Sequence, residues 1–207
     1  PDQPEEVEIA FERGCPVALN GENLDGTTII ERLNQIAGRH GVGRVDHIEN
    51  RLVGIKSREI YEAPAAVVLH EAHREIEFLT LSKDALRFKT LVSQQYSDLI
   101  YNGLWFSALH QDLMAFVVSN QQYVSGVARV KLYKGHAMIV GRKSENSLYR
   151  HELATYEEGD QYDSSAAQGF IKIHGLAQTT QAKHQLLRGT GAPLELPSII
   201  PPAPRAK

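Results

Sequence analysis

The stretch Gly126–Lys143, GVARVKLYKGHAMIVGRK, decides the fold because its residue types alternate with a period of two. In its first half Ala, Val and Leu alternate with Val, Arg, Lys and Tyr, and Lys134-Gly135 then interrupts the run. Alternation on both sides of a two-residue break is typical of a β-hairpin, because successive strand side chains point to opposite faces. We therefore predict two antiparallel strands here.

A second hairpin is predicted at the start of the chain. Residues 5 to 11 place Val7, Ile9 and Phe11 between polar neighbours, and Arg13-Gly14 follows as a turn. Pro16–Asn20 is apolar again. Shorter strands are expected around Val45–Ile55, joined near residues 50 and 51, and near Leu153–Tyr156.

Helical patterns fill the middle of the chain. Asp25 or Thr27 can cap a first helix that stops at Gly38, and Pro64 occupies a favoured first position of the next helix. Two more helices are expected, from about Ser82 to Tyr101 and from about Ser107 to Tyr123, separated near Gly103. Strands, then helices, then strands, without regular β-α alternation, indicate an α+β domain.

The end of the chain holds one more helix and a tail. Asp163 or Ser164 can cap a helix that runs to Leu187. Its many apolar residues require burial against the same domain or another subunit, and the sequence does not separate the two. Residues 188–207 are rich in proline and are predicted to form a flexible tail. The resulting prediction is a mixed or antiparallel sheet built from hairpins, a central helical section and a C-terminal oligomerisation helix.

Composition narrows the function classes. A net charge of −3 with interspersed signs offers no basic face for nucleic acid and no polybasic membrane patch. The chain has 42% hydrophobic residues and a single cysteine, Cys15, which fits a globular protein without internal disulfides in the cytoplasm. The chain begins with Pro1, so we expect it to be a piece of a longer protein.

Gly38–Pro64, GRHGVGRVDHIENRLVGIKSREIYEAP, follows neither a helical nor a strand period for its charged residues. Such irregular spacing is typical of a segment that binds a ligand or connects two structural elements. The spacing GVG matches neither a dinucleotide fingerprint nor a P-loop, so a tight turn is favoured there. Lys56, Ser57 and Arg58 could bind a carboxylate or phosphate, or could form a solvated loop.

For the other reactive residues, the sequence favours structural roles over metal binding or catalysis. His70 and His73 are three residues apart, whereas the zinc-protease motif HExxH places its histidines four apart. Cys15 has no partner in a catalytic signature and is interpreted as a free structural thiol. We predict no metal site and no catalytic residue in this chain.

Several motifs together resemble the C-terminal synthetase domain of argininosuccinate synthases. They are GRHGVGR, ENRLVG, KSR, YEAPAAVVLHEAH, LVSQQYSDLIYNGLWFS, VARVKLYKGHAMIVGRKSENSLY and YDSSAAQGFIKIHGL, in family order. The resemblance covers about Val7 to Leu187, and it implies that residues 1–187 form the catalytic and multimerisation domain.

The resemblance implies an ATP-dependent carbon–nitrogen ligase of arginine biosynthesis. The family joins citrulline and aspartate through a citrullyl-adenylate, releasing AMP and pyrophosphate. Glu49 and Tyr61 match family positions that bind citrulline: a carboxylate can accept N–H hydrogen bonds, and a phenol can donate to an oxygen. Neither is expected to be a nucleophile. Family members are cytoplasmic homotetramers, in which the C-terminal helix reaches neighbouring subunits.

Two departures from the family pattern limit the activity that we expect of this chain. The ATP-binding loop Ser-Gly-Gly-Leu-Asp-Thr-Ser does not occur in this sequence, so ATP and its Mg²⁺ are expected to bind mainly to an N-terminal domain that this chain lacks. Glu59 stands where the family commonly has glycine, which adds a negative charge near the site. We expect the chain alone to be inactive.

Two other functions remain open. The chain could be a non-catalytic oligomerisation or interaction module. It could also be an independent small-molecule binding domain that uses the Lys56–Arg58 cluster.

Overall fold

The computed structural model describes residues 1–154 and 164–186, which fall into two compact units. The first unit contains residues 1–150, and the second begins at His151. Each is treated separately. The α+β class is confirmed, since both sheets of the first unit are antiparallel and helices occupy the middle of the chain.

The predicted hairpin forms two strands of a five-stranded antiparallel sheet. Strands β6 (Gly126–Tyr133) and β7 (His136–Lys143) are joined at Lys134 and Gly135, whose φ angles are 45° and 86°. Positive φ at both central residues matches the twist of the flanking strands. The other strands are β1 (Glu5–Glu12), β2 (Cys15–Leu19) and β3 (Glu22–Asn23), in the order β3-β2-β1-β6-β7.

One face of this sheet carries the core. Alternate residues of β1 and β6 are buried, which is the pattern that the sequence predicts for a half-buried sheet. Two helices supply the opposite layer: α1 (Gly26–Arg39) and α2 (Pro64–Thr80). The core consists of aliphatic side chains from both layers: Val7, Ile9, Leu19, Ile29, Leu33, Val68, Ile76, Val130 and Leu132.

The helix starts follow local capping chemistry. The side chains of Asp25, Ser82 and Ser107 accept hydrogen bonds from the backbone N–H groups at the starts of α1, α3 (Lys83–Tyr101) and α4 (Ala108–Asn120). A short 3₁₀ turn, Gln121–Tyr123, follows α4. These predicted starts are therefore confirmed to within one residue.

Three predictions need correction or lie outside the described residues. The strand near Leu153–Tyr156 is wrong for residues 153 and 154, which belong to helix α5 (His151–Ala154); residues 155 and 156 are not described. The last helix is divided into α6 (Ser164–His174), α7 (Leu176–Gln181) and a π-helical turn (Ala182–Leu186), because Gly175 interrupts it. The tail, residues 188–207, lies outside the described residues.

A second sheet has two strands and stands apart from the first. Strands β4 (Arg44–Asn50) and β5 (Lys56–Glu62) form an antiparallel ribbon whose five-residue loop spans residues 51–55. The predicted strand bounds were wrong: the junction lies after Asn50, and the second strand begins only at Lys56. Hydrogen bonds from Arg51 N–H to Ile55 O and from Gly54 N–H to Arg51 O close the loop.

The base of the ribbon is fixed by a close backbone approach. Gly43 has φ +90°, and a Cβ placed on it would lie 2.5 Å from the N and Cα atoms of Pro64. The N–H of Ala63 donates to Gly43 O at 2.9 Å. The segment entering β4 therefore packs directly on the segment that joins β5 to α2.

Buried polar groups join α2 to its neighbours. Gln121 donates to the Glu77 carboxylate at 2.6 Å, and its side-chain oxygen lies 2.9 Å from the His73 ring. Lys89 of α3 approaches the same carboxylate at 3.2 Å. Burial lowers the pKa of His73 below its ordinary value, although the Glu77 carboxylate opposes the shift.

This pKa predicts a pH-dependent loss of stability. The unfolded chain takes up a proton on His73 at a higher pH than the folded chain, so the free energy of unfolding should fall as pH drops below about 6.5. His73→Gln should flatten that slope, and His136→Gln, at an exposed position, should not. Urea unfolding between pH 7.5 and 5 measures the free energy of unfolding of the wild type and of both variants. Equal slopes for His73→Gln and the wild type would contradict the assignment.

The base of the ribbon gives a second prediction. Gly43→Ala should lower the free energy of unfolding by roughly 1–3 kcal/mol more than Gly21→Ala, because only at residue 43 does the new methyl group meet backbone atoms. The two glycines have similar φ angles, +90° and +81°, so conformational strain is matched. Thermal or urea unfolding makes the comparison. Equal losses would show that the ribbon base tolerates displacement.

Candidate functional site

The register of the ribbon sorts its side chains onto two faces. Glu49 pairs with Ser57, His47 with Glu59 and Val45 with Tyr61. Because side chains of directly opposed residues point the same way, these six share one face, which we call the site face. The two residues predicted to bind citrulline, Glu49 and Tyr61, therefore lie on the same side of the ribbon.

Glu49 is the more enclosed of the two. Its side chain is 15% exposed, and Oε1 faces the Tyr101 hydroxyl at 3.3 Å and an Arg51 guanidinium nitrogen at 3.6 Å. Oε2 lies 3.8 Å from Nε2 of His47, beyond hydrogen-bond distance. One carboxylate oxygen thus has donors within the protein, while the other remains available as an acceptor.

His47 links the two predicted residues. Its ring lies between them in the strand register and is 5.4 Å from the Tyr61 ring, centroid to centroid. Tyr61 itself is 46% exposed, so its ring forms an open wall. His47 was not among the predicted site residues, although the period of the strand alone could have placed it beside Glu49.

Tyr101 was also missed. It is the last residue of α3, and its hydroxyl approaches Glu49 Oε1 and the backbone oxygen of Asn50, at 3.3 and 3.2 Å. Desolvation raises the pKa of the Tyr101 phenol, and the Glu49 carboxylate raises it further. The phenol is therefore a neutral donor at physiological pH.

The extra charge of Glu59 is paired within the protein. Its Oε1 accepts hydrogen bonds from Arg51 and from the Ser57 hydroxyl, both at 2.6 Å. The added negative charge of Glu59 on the site face is therefore paired with two hydrogen-bond donors of the protein. The cluster thus has two carboxylates, Glu49 and Glu59, beside one guanidinium group, Arg51.

The opposite face of the ribbon has its own ion pairs. Arg58 donates two hydrogen bonds to Asp46, at 2.9 and 2.6 Å, and lowers the pKa of that carboxyl group. Lys56 and Arg58 lie on this face and Ser57 on the other, so the structure does not bring the three together. No phosphate-binding cluster is assembled from them.

The remaining candidates lie away from the ribbon. His70 and His73 line an apolar cavity of about 380 Å³ beside Phe11 and Leu69. Cys15 is an exposed free thiol at the start of β2. Within residues 1–154 and 164–186, no three metal-binding side chains group together, and no helix there has the length and apolar character to cross a bilayer.

The site face has the chemistry of a binding surface. It offers a carboxylate with one available oxygen, an exposed phenol and an imidazole, which together suit a polar ligand with N–H donors and an acceptor oxygen. Its six residues form one wall, open to solvent. They include no thiol, and the single hydroxymethyl group, of Ser57, is engaged with Glu59.

Comparisons with known proteins agree with the family resemblance of the sequence. A family profile described as the arginosuccinate synthase C-terminal domain matches residues 1–181. An argininosuccinate synthase of Dehalococcoides mccartyi is 60% identical over 185 residues, which are 89% of this chain and 46% of the relative. Those of Brevibacillus brevis and Trichodesmium erythraeum are both 57% identical, over 88% and 91% of this chain and 44% and 47% of the relatives.

The chain therefore spans about half the length of the curated relatives that it matches. The family profile covers most of the chain and ends within α7. The chain belongs to the argininosuccinate synthase family, as its C-terminal domain.

Proposed function

We propose that this chain supplies one wall of the citrulline site of an argininosuccinate synthase. The observation that carries the proposal is the ribbon register, which brings Glu49 and Tyr61 to one face in a chain of this family. The reaction is the ATP-dependent condensation of citrulline with aspartate to argininosuccinate, AMP and pyrophosphate.

Glu49 and Tyr61 act by binding and orientation. The available Oε2 of Glu49 accepts an N–H of citrulline, from either its ammonium or its ureido group, and Tyr61 donates to a substrate oxygen. The excess of carboxylates over guanidinium groups beside Glu49 favours a ligand with an ammonium group. Orientation of this kind can supply much of the rate enhancement of adenylation, since reactants held in line need little covalent assistance from the protein.

ATP and Mg²⁺ are assigned to the other part of the enzyme. Lys56, Ser57 and Arg58, which the sequence offers as a phosphate-binding cluster, point to both faces of the ribbon, so these three residues do not converge on a triphosphate. By this proposal the chain alone is inactive, and the complete enzyme works in the cytoplasm.

Complementation tests the proposal. The chain mixed with, or fused to, the amino-terminal part of the Dehalococcoides mccartyi synthase should release pyrophosphate when citrulline, aspartate and ATP are present. Glu49→Ala should raise KM for citrulline roughly 10- to 100-fold, and Tyr61→Phe about 3- to 10-fold, as expected for the loss of a charged and a neutral hydrogen bond.

Glu62→Ala is the matched control. It removes an exposed carboxylate from the opposite face of the same ribbon, so KM should stay within about twofold of wild type. Unchanged KM values for both site-face variants, measured on folded protein, would refute the site assignment.

A second function, oligomerisation, is favoured by α6 and α7. Phe170, Ile171, Ile173 and Leu176 are each at least 60% exposed. Apolar side chains in such a group are typical of a surface that another chain covers. We propose that these residues contribute to a homotetramer, with or without catalysis.

The assembly state tests this function. Light scattering should give about four times the 23.0 kDa mass of the chain, and Ile173→Glu should reduce it by placing a charge in the contact. Gln168→Glu, at an exposed polar position of the same helix, should leave the mass unchanged. A monomeric wild-type chain would refute the proposal for the chain by itself.

A further inference from the structure

Tyr101 connects helix α3 to the far end of the ribbon. Its hydroxyl carries one proton and faces two acceptors, Glu49 Oε1 at 3.3 Å and Asn50 O at 3.2 Å. A proton shared between two acceptors gives longer distances than the usual 2.7–2.8 Å of a single O–H···O hydrogen bond. Both acceptors belong to the last two residues of β4, so Tyr101 contacts the strand just where Glu49 projects from it.

Arg51 also lies near Glu49, but its guanidinium group does not take the place of the Tyr101 hydroxyl. Arg51 lies 2.6 Å from Glu59 but 3.6 Å from Glu49, so its hydrogen bond goes to Glu59. The Ser57 hydroxyl also donates to Glu59. The Tyr101 hydroxyl is therefore the nearest donor to the Glu49 carboxylate among the described residues.

We propose that Tyr101 is a positioning residue of the substrate site, holding Oε1 of Glu49 so that Oε2 stays turned toward the bound amino acid. This inference rests on the proposed function. A carboxylate fixed through one oxygen loses less rotational freedom when a ligand donates to the other, so the contact improves substrate affinity. Tyr101 itself does not touch the reacting atoms.

A double-mutant cycle tests the role. In the assembled two-part enzyme, Tyr101→Phe should raise KM for citrulline about fivefold to tenfold, because it removes one hydrogen bond to a charged group and keeps the ring. The values of kcat and of KM for aspartate and ATP should change less than twofold. In a Glu49→Gln background, Tyr101→Phe should add less than about twofold, since it acts through the carboxylate.

Tyr123→Phe is the matched control. Tyr123 is also exposed, and its hydroxyl has no hydrogen-bond partner among residues 1–154 and 164–186, so all kinetic constants should stay at wild-type values. A purely structural role for Tyr101 would instead lower the amount of folded enzyme, which reduces the apparent kcat and leaves the KM values unchanged.

The outcomes separate the two proposals. If Glu49→Gln raises KM for citrulline while Tyr101→Phe changes nothing, or if the two effects multiply independently, the positioning role is overturned and the citrulline site stands. If Glu49→Gln has no effect, the positioning role is overturned, and the citrulline site is refuted as well if Glu49→Ala and Tyr61→Phe also leave KM unchanged. Non-additive increases confined to citrulline support both.

A titration of the chain itself checks the contact without turnover. With ¹³C-labelled tyrosines followed by NMR, Glu49→Gln should lower the pKa of the Tyr101 phenol toward its ordinary value, because a neighbouring negative charge is removed. The Tyr123 resonance should titrate as in wild type. An unchanged Tyr101 titration would overturn the contact and with it the positioning role.

Discussion

The close packing of Gly43 against Pro64 is the constraint on which the candidate site depends. A two-stranded ribbon has little stability of its own and needs support from the rest of the domain. Here the support comes at its base, where the chain enters β4 beside the start of α2, a helix packed on the five-stranded sheet. Any side chain at residue 43 would meet backbone atoms, so the position requires glycine for space as well as for its φ of +90°.

The fold follows from local patterns more directly than the site does. Alternation in β1 and β6, and the capping residues Asp25 and Ser82, act over a few residues and predicted the elements correctly. The register of β4 and β5 depends on a loop of five residues that the sequence analysis placed at residues 50 and 51. A junction there would have opposed different side chains, and the shared face of Glu49 and Tyr61 would not have followed from it.

Tyr101 could not be predicted from the sequence for a different reason. It is separated from Glu49 by 52 residues and lies at the end of a helix whose other residues show ordinary amphipathic spacing. Its contact arises from where α3 ends in space, which the pattern of α3 does not specify. Glu59 shows the same limit, because its charge was visible in the sequence but its two donors, Arg51 and Ser57, were not.

The two faces of the ribbon differ in how their charged side chains are paired. On the face opposite the site, Arg58 pairs with Asp46 and Arg44 lies 3.9 Å from Glu62, so each carboxylate on that face has a cation beside it. Arg51, in the loop next to the site face, donates a hydrogen bond to Glu59 at 2.6 Å and lies 3.6 Å from Glu49, so Glu49 has the weaker contact with this cation. The ion pairs on the other face and the packing of Gly43 hold the strands, so Oε2 of Glu49, which has no hydrogen-bond partner within residues 1–154 and 164–186, is not needed to hold the ribbon together.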